Sequence, residues 1–277
     1  MKTNFFSLLE GQWDFGKFVC VGLDTDYSKI PPGVRARVSK GAAIEKFNQI
    51  IVSVTMGVAC AYKINTAFYE AHGSEGIAAL RATISYIHRH ALNVPVILDA
   101  KRGDIGNTND GYIQFAFDFL QADAITVHPY LGKESLQKFL EQKDKGIIPL
   151  VVTSNEGQGE FQNMMVEGEP LYCHVARHVA NEWNVNHNCA IVAGATHPKE
   201  LRRVREIVGD MPILIPGIGA QGGNLAETIR AGKDSRGRGM IINSSRGIIF
   251  ASNGDDFAEA ACREAIKLNN EIRFLIR

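Results

Sequence analysis

Acidic and basic side chains occur at three successive points of the chain, each at or just after the end of a short apolar run. Asp24 follows FVCVGL, Lys63 ends VACAYK, and the segment Asp99-Ala-Lys101-Arg-Gly-Asp104 begins where VPVILD ends. Opposite charges in a site shielded from water keep one another ionised. At about 4 Å and an effective dielectric of roughly 20, each pair is worth about 4 kcal/mol of Coulomb energy before desolvation. A lysine between two acids therefore stays an ammonium, which makes it a proton donor and a poor Schiff-base nucleophile.

Two segments that suit an anion follow two later apolar runs. PILIPG leads into Pro216-Gly-Ile-Gly-Ala-Gln221-Gly-Gly, and GMIIN leads into Ser244-Ser245-Arg246-Gly. Glycines let backbone N–H groups approach an anion, and an arginine can hold it with two parallel hydrogen bonds. Together the two segments predict a phosphate site. The alternative is that both are tight turns that need glycine.

Alternating strands and helices must position these groups. Short apolar runs predict strands at 18–23, 58–63, 94–99, 123–128, 147–153, 189–194, 212–217 and 239–243. Most of these runs are continuously apolar, which is typical of strands buried on both faces of a parallel sheet. Between them lie amphipathic stretches; in one of these, Ile44, Phe47, Ile51 and Val54 have near-helical spacing.

Eight strands alternating with helices predict an α/β fold, a closed (β/α)8 TIM barrel that forms a single domain over residues 1–277. A doubly wound open sheet is the alternative, but no G-x-G-x-x-G follows the first strand. In a barrel, catalytic residues gather at the carboxyl ends of the strands, and phosphate binds after strands seven and eight. Side chains alternate between the faces of a strand, so Asp99 and Lys101 should both point toward the barrel mouth. The direction of Asp104 is open, because the chain turns at Gly103.

Composition and charge exclude several classes of protein. The 30 Lys and Arg residues balance the 30 Asp and Glu residues, so we expect no nucleic-acid or membrane-surface binding. The five cysteines are widely spaced, which is typical of a reducing compartment, and no apolar run of 18 residues predicts a membrane span. We therefore expect a cytoplasmic protein. No metal-ligand quartet is evident, and the long segment 154–170 is expected to be either a lid over the mouth or a surface excursion.

The combined motifs resemble the orotidine 5'-phosphate decarboxylase family, most closely its longer bacterial subfamily with D-A-K-R-G-D-I. The segments that carry the resemblance are Gly22-Leu-Asp24, Lys63-Ile-Asn65, Ala67-Phe-Tyr-Glu70, Asp99 to Thr108, Thr153-Ser154-Asn155 and Pro216 to Gly223. They span nearly the whole chain. Two residues depart from the family pattern: Ile64 stands where proline is expected, and Glu156 where proline or a small residue is expected.

The resemblance implies decarboxylation of orotidine 5'-monophosphate to uridine 5'-monophosphate, the last step of UMP synthesis, without metal or cofactor. The implied catalytic residues are Lys101, which protonates C6, and Lys63, Asp99 and Asp104 in a charged network. The implied substrate-binding residues are Asp24, Asn65, Thr108, Ser154, Pro216, Gln221, Ser245 and Arg246.

Within that set, the resemblance divides the ligand among the residues and implies a homodimer. Asp24 and Lys63 contact the ribose hydroxyls, and Ser154 reads the pyrimidine edge. Gln221 and Arg246 hold the phosphate. Asp104 and Thr108 reach the ribose of the ligand in the neighbouring subunit.

Three other functions remain open from the residues alone. A related phosphosugar decarboxylase or epimerase on the same barrel would need a divalent metal. A Schiff-base aldolase would use Lys63 or Lys101, against the effect of their acidic neighbours. A sensor of phosphorylated ligands would bind without turnover.

Overall fold

Eight parallel strands close into a barrel at the centre of the molecule. The computed structural model describes residues 4–219 and 222–277. The barrel strands are β1 (Val19–Gly22), β2 (Ala59–Asn65), β3 (Val96–Arg102), β4 (Ala124–Val127), β5 (Gly146–Val152), β8 (Ile191–Ala193), β9 (Ile213–Ile215) and β10 (Met240–Ser244). They are joined in the order β1, β10, β9, β8, β5, β4, β3, β2. The predicted (β/α)8 barrel is confirmed.

Helices follow the strands and pack around the barrel. The α-helices are α1 (Phe5–Asp14), α2 (Pro32–Arg35), α3 (Lys40–Thr55), α4 (Ala67–Glu70), α5 (Gly73–His90), α6 (Thr108–Ile113), α7 (Gly132–Leu140), α8 (Gly159–Gln162), α9 (Leu171–His178), α10 (Pro198–Val208), α11 (Leu225–Gly232), α12 (Arg246–Ile249) and α13 (Phe257–Ile276). Short 3₁₀ turns occur at Tyr27–Lys29, Glu156–Gln158 and Asn184–Asn186, and π-helical turns extend two helices over Gln114–Phe119 and Val179–Trp183. No helix in the described part of the chain is long and apolar enough to cross a bilayer.

The amphipathic pattern that predicted a helix around residue 50 is confirmed by α3. Its buried face includes Ile44, Phe47 and Ile51, and Val54, the fourth residue at near-helical spacing, is partly buried against the core. Ser39 caps the start of the helix, because its side chain accepts a hydrogen bond from the Ala42 amide. The Phe47 ring stacks on Phe250 at a centroid distance of 5.5 Å, which ties α3 to the segment after β10.

The helix α1 packs across the end of the barrel opposite the predicted site. Phe5, Leu9 and Trp13 on this helix are buried. The Trp13 indole Nε1 donates a hydrogen bond to the carbonyl of Met240, at the start of β10, over 3.0 Å. Gly146, the first residue of β5, leaves room for Phe5, since a Cβ there would lie 2.3 Å from that ring.

Two strands run further than their apolar runs predict. β2 continues to Asn65 and β3 to Arg102, so Asn65 and Lys101, which were expected just beyond the strands, lie within them. Between β3 and β4 the register is irregular: Leu98 pairs with Ile125, and the next pair is Arg102 with Val127. Residues 99–101 therefore lie opposite residue 126 alone, which is a β-bulge.

The segment 154–170, predicted as an irregular connection, contains short regular elements. It has the 3₁₀ turn after Asn155, the helix α8, and a hairpin of β6 (Met165–Val166) and β7 (Glu169–Pro170). The carboxylate of Glu169 accepts hydrogen bonds from Arg177 and Arg203 at 2.7 and 2.8 Å. These two contacts fix the base of the hairpin against α9 and α10.

Candidate active site

A cleft of about 450 Å³ opens at the carboxyl ends of the barrel strands. Asp24 reaches it from the loop after β1, Lys63 from β2, and Asp99 and Lys101 from β3. Of the residues predicted to form the site, those that line this cleft are Asp24, Lys63, Asn65, Asp99, Lys101, Ser154, Pro216, Ser245 and Arg246. Strand ends far apart in the sequence thus supply one concave surface.

Four of these side chains form an unbroken row of alternating charge. The Lys63 ammonium lies between two carboxylates, 3.4 Å from Asp24 Oδ1 and 2.9 Å from Asp99 Oδ2. The other oxygen of Asp99 accepts a hydrogen bond from Lys101 Nζ at 2.6 Å. Asp99 and Lys101 thus both face the mouth, as the alternation of strand side chains predicted. Two positive and two negative charges neutralise the row before any ligand enters.

Burial differs along the row, and so do the electrostatic consequences. The Lys63 side chain is 5% exposed and that of Asp99 11%, whereas Lys101 is 46% exposed. Burial lowers the pKa of Lys63, but the charges of Asp99 and Asp24 outweigh it and leave that pKa above its ordinary value. Burial raises the pKa of Asp99, but the two lysines outweigh it, and the pKa of that carboxyl falls well below its usual range. The inner pair is fixed in its charged form, and the outer ammonium faces solvent.

Asp24 is held by contacts from two neighbouring strands. Ser245, after β10, donates a hydrogen bond to Asp24 Oδ2 at 2.7 Å, and the amide of Asn65 donates to Oδ1 at 3.3 Å. Gly22 permits the first contact, since a Cβ there would lie 1.8 Å from the Ser245 hydroxyl. The glycine two residues before Asp24 therefore has a steric role as well as a place in the sequence motif.

The end of the cleft that is predicted to bind phosphate lies between the loop after β9 and the segment after β10. Pro216, Gly217 and Ile218 line it from the loop after β9, and Arg246 and Gly247 from the start of α12. Gly217 has φ +104°, a conformation that strongly favours glycine. Within residues 4–219 and 222–277, no carboxylate forms an ion pair with Arg246, so its exposed guanidinium is available to a ligand. Gln221, the other predicted phosphate ligand, lies outside the described residues.

Comparison with known proteins identifies the family. A model of the orotidine 5'-phosphate decarboxylase / HUMPS family matches residues 17–261. The chain belongs to this family. It is 43% identical over 270 residues to the orotidine 5'-phosphate decarboxylase of Cellvibrio japonicus, which covers 97% of this chain and 98% of the relative. It is 47% identical over 243 residues to the enzyme of that name from Ralstonia nicotianae, with 88% of each chain covered.

Solved structures of the family have the same fold. The structure of Leishmania donovani OMP decarboxylase superposes with a TM-score of 0.84 at 39% identity, covering 98% of this chain and 99% of that one. Leishmania donovani UMP synthase gives a TM-score of 0.86 at 40% identity, covering 99% of this chain and 57% of the synthase. The family resemblance inferred from the motifs is therefore confirmed.

Two residues implied by the family resemblance lie apart from the cleft of their own chain. The Asp104 carboxylate accepts a hydrogen bond from the amide of Ile105 at 2.7 Å, and the Asn109 side chain accepts one from the Asp104 amide at 3.0 Å. Thr108 is exposed at the start of α6. The row of charges in the single chain thus contains Asp24 in place of Asp104, and the role of Asp104 in the charged network stays a prediction.

Sequence reasoning missed Asn243 and the apolar wall of the cleft. Asn243 is the next-to-last residue of β10 and donates to the Cys20 carbonyl at 3.1 Å; the sequence shows it as the polar last residue of the run GMIIN, which does not fix the face on which it lies. The apolar wall consists of Leu150, Val192, Leu214 and Ile218. Leu150, Val192 and Leu214 lack a sequence signal, because their runs are those of ordinary buried strands, and Ile218 stands in the glycine-rich loop without a polar group. A flat ring could pack on this wall.

The low pKa of Asp99 predicts a measurable pH dependence of stability. A carboxyl whose pKa is lower in the folded state stabilises the fold above its unfolded pKa, about 3.9, and loses that contribution as the pH falls. Below about pH 4, the free energy of unfolding of the wild type should fall by up to about 1.4 kcal/mol per pH unit more than that of Asp99→Asn. Urea unfolding at a series of pH values measures both slopes.

The matched control is Asp118→Asn, which removes an exposed carboxylate far from the cleft. Its free energy of unfolding should fall more steeply with falling pH than that of Asp99→Asn. Equal slopes for Asp99→Asn and the wild type would contradict the assignment of a strongly stabilised carboxylate at Asp99.

Proposed function

We propose that this chain decarboxylates orotidine 5'-monophosphate to uridine 5'-monophosphate, the last step of de novo UMP synthesis. Its family and its relatives named orotidine 5'-phosphate decarboxylase support the reaction. The observation that carries the assignment of roles is the row Asp24, Lys63, Asp99 and Lys101 in the same cleft as Arg246. This arrangement suits a ligand with a phosphate at one end and a reacting carbon at the other.

In the proposed reaction the bond between C6 and the carboxylate carbon breaks. Its electron pair stays on C6 as carbon dioxide leaves. The pair occupies an sp² orbital that the ring delocalises poorly, so the protein must stabilise it electrostatically. Lys101 provides the positive charge at C6, and its ammonium then gives a proton to C6. The proton is replaced from solvent, since Lys101 is the exposed member of the row.

Stabilisation of the transition state is the larger effect in this proposal. Asp99 would lie beside the substrate carboxylate and repel it. One such pair at about 4 Å contributes about 4 kcal/mol at an effective dielectric of roughly 20. Enzymes lower barriers by about 8–23 kcal/mol, so repulsion alone is insufficient. The fixed Lys63–Asp99 pair holds the Lys101 ammonium where charge develops, and this costs no reorganisation during the reaction.

The reaction is proposed to need neither metal nor cofactor. Both carboxylates of the row are engaged by the two lysines, and Asp24 also accepts from Ser245. A divalent cation would have to displace those ammonium groups to gain the same oxygens. Loss of orotidine 5'-monophosphate absorbance in the presence of a chelator tests the function. Turnover that stops with chelator and returns with a divalent metal would instead indicate a metal-dependent relative.

We also propose the division of the ligand among the binding residues. Asp24 and Lys63 contact the ribose hydroxyls, assisted by Asn65, and Ser154 reads the pyrimidine edge. Arg246 holds the phosphate together with Gln221, and Pro216 and Ser245 line the cleft around the ligand. The segment 154–170, with Phe161 and Met165 exposed, would act as a lid over the ring.

A homodimer of single-domain chains in the cytoplasm completes the proposal. Asp104 and Thr108 lie on a segment whose Ile105 is 64% exposed, close in sequence to the strand that carries Lys101. A partner chain packed over this segment would bury the Ile105 side chain, and burial of apolar surface favours association. The five cysteines are all unpaired thiols, as expected for a reducing compartment.

Replacing Lys101 by alanine should abolish turnover and leave binding of uridine 5'-monophosphate largely intact. The variant removes the proton donor and keeps the cleft, because the Lys101 side chain is half exposed. Steady-state kinetics and calorimetric titration of the nucleotide measure the two effects. Retention of more than about a tenth of the wild-type kcat, a loss under roughly 1.4 kcal/mol, would show that Lys101 is not the proton donor.

Replacing Arg246 by alanine should raise KM for orotidine 5'-monophosphate far more than for the bare nucleoside orotidine, because only the nucleotide carries the phosphate. Arg230→Ala, which removes an exposed arginine from α11, is the matched control and should leave both KM values unchanged. An equal effect of Arg246→Ala on both substrates would place the phosphate elsewhere.

A shared active site predicts complementation between two inactive variants. Chains with Lys101→Ala and chains with Asp104→Ala should each have little activity alone. After the two are unfolded together and refolded, mixed dimers contain one site with neither substitution, so about a quarter of the wild-type activity should return. Activity that stays at the sum of the separate variants would contradict a contribution of Asp104 across the interface.

A further inference from the structure

The β-bulge between β3 and β4 places Thr126 beside the carboxylate of Asp99 and the backbone amide of Lys101. Regular pairing stops after Leu98 and Ile125 and resumes at Arg102 and Val127. Thr126 is the residue of β4 opposite the bulged segment, and it is completely buried. It is the polar side chain in the middle of an otherwise apolar strand, AITV.

The Thr126 hydroxyl bridges Asp99 and Lys101. Its Oγ1 lies 2.9 Å from Asp99 Oδ1 and accepts a hydrogen bond from the Lys101 amide at 3.0 Å. A hydroxyl has one hydrogen and two lone pairs, and an ionised carboxylate can only accept. The hydroxyl hydrogen therefore points to Asp99, and a lone pair receives the Lys101 N–H.

This bridge orients the Asp99 carboxylate and the Lys101 backbone, both of which the proposed reaction needs in fixed positions. Asp99 Oδ1 accepts from both Thr126 and Lys101 Nζ, while Oδ2 faces Lys63. The rotation of the Asp99 carboxylate decides which oxygen meets which lysine. The hydrogen bond from Thr126 to Oδ1 fixes that rotation. The same hydroxyl holds the backbone of Lys101, whose φ of +48° is unusual for a residue with a side chain.

Arg102, the last residue of β3, also contacts the bulge. Arg102 Nη1 donates to the carbonyl of Ala100 at 3.0 Å, and Arg102 also pairs with Glu70. Neither contact reaches a side chain of the charged row. In the described part of the chain, the Thr126 hydroxyl is thus what links the backbone of the bulge to the carboxylate of Asp99.

We propose that Thr126 is a positioning residue, which sets the Asp99 carboxylate and the Lys101 ammonium at their reactive separation through its single hydroxyl. The inference rests on the proposed decarboxylation. It assigns to Thr126 no contact with the substrate, so loss of the hydroxyl should slow the chemical step without weakening binding of the product.

Thr126→Val tests this, because valine keeps the β-branched shape and removes the hydroxyl. Its kcat should fall about 10- to 100-fold, the range for loss of a hydrogen bond to a charged group. Affinity for uridine 5'-monophosphate should change less than about threefold. Thr126→Ser restores the hydroxyl, and its kcat should return to within about threefold of the wild type.

Thr55→Val is the matched control. Thr55 is also completely buried and does not line the cleft; its hydroxyl donates to the Ile51 carbonyl at 2.7 Å and lies 3.0 Å from the Tyr62 hydroxyl. This variant should keep the wild-type kcat and show a thermal unfolding midpoint close to that of Thr126→Val. The inference is overturned if Thr126→Val keeps kcat within about threefold of the wild type, or if kcat and product affinity fall in parallel in both Thr126 variants.

The wild type in the same assay separates this inference from the proposed function. If the wild type fails to turn over orotidine 5'-monophosphate, the function is wrong, and the bridge is then judged from a crystal structure of Thr126→Val. A longer distance between Asp99 Oδ1 and Lys101 Nζ than the 2.6 Å of the wild type would support the bridge. An unchanged distance would overturn it.

Discussion

The buried ion pair between Lys63 and Asp99 is the interaction on which the rest of the site depends. Its 2.9 Å contact lies in the mouth of a barrel, where each charge alone would be costly to bury. Each partner therefore requires the other, and Asp24 and Lys101 extend the pair into a neutral row. Because neither inner charge can titrate near neutral pH, the outer ammonium is held in place by a permanent negative neighbour.

The barrel produces this arrangement because its neighbouring parallel strands end side by side. Asp24, Lys63 and Asp99 come from three adjacent strands, so parallel pairing alone brings their side chains within contact. A bulge in β3 then turns Lys101 so that its ammonium meets Asp99, at a backbone conformation that costs about 1–3 kcal/mol. The rigid strands around the bulge hold it there. Such preorganisation allows fixed charges to stabilise a developing carbanion.

Much of the fold and of the cleft could be predicted from the sequence, because both follow from the pattern of apolar residues and from the polar residues at the strand ends. The continuous apolar runs located all eight barrel strands to within a few residues, and the polar residues at their ends located the cleft. That Asp99 and Lys101 share a face was also predicted correctly, although the bulge, and not a regular pleat, produces it. Thr126 and Asn243 could not be assigned in the same way, since the face of a polar residue within an apolar strand depends on how the barrel closes. The direction of Asp104 depends on a turn after Gly103 that strand alternation does not describe.

A crystal structure with uridine 5'-monophosphate bound tests the central claim most directly. The account predicts that the pyrimidine C6 lies within about 4 Å of Lys101 Nζ, the distance at which one charge pair is worth about 4 kcal/mol at a dielectric of roughly 20. It also predicts that the phosphate meets Arg246 and that the contacts of Asp99 with both lysines are preserved. A nucleotide whose C6 faces away from Lys101, or a row of charges that separates when the nucleotide binds, would contradict it.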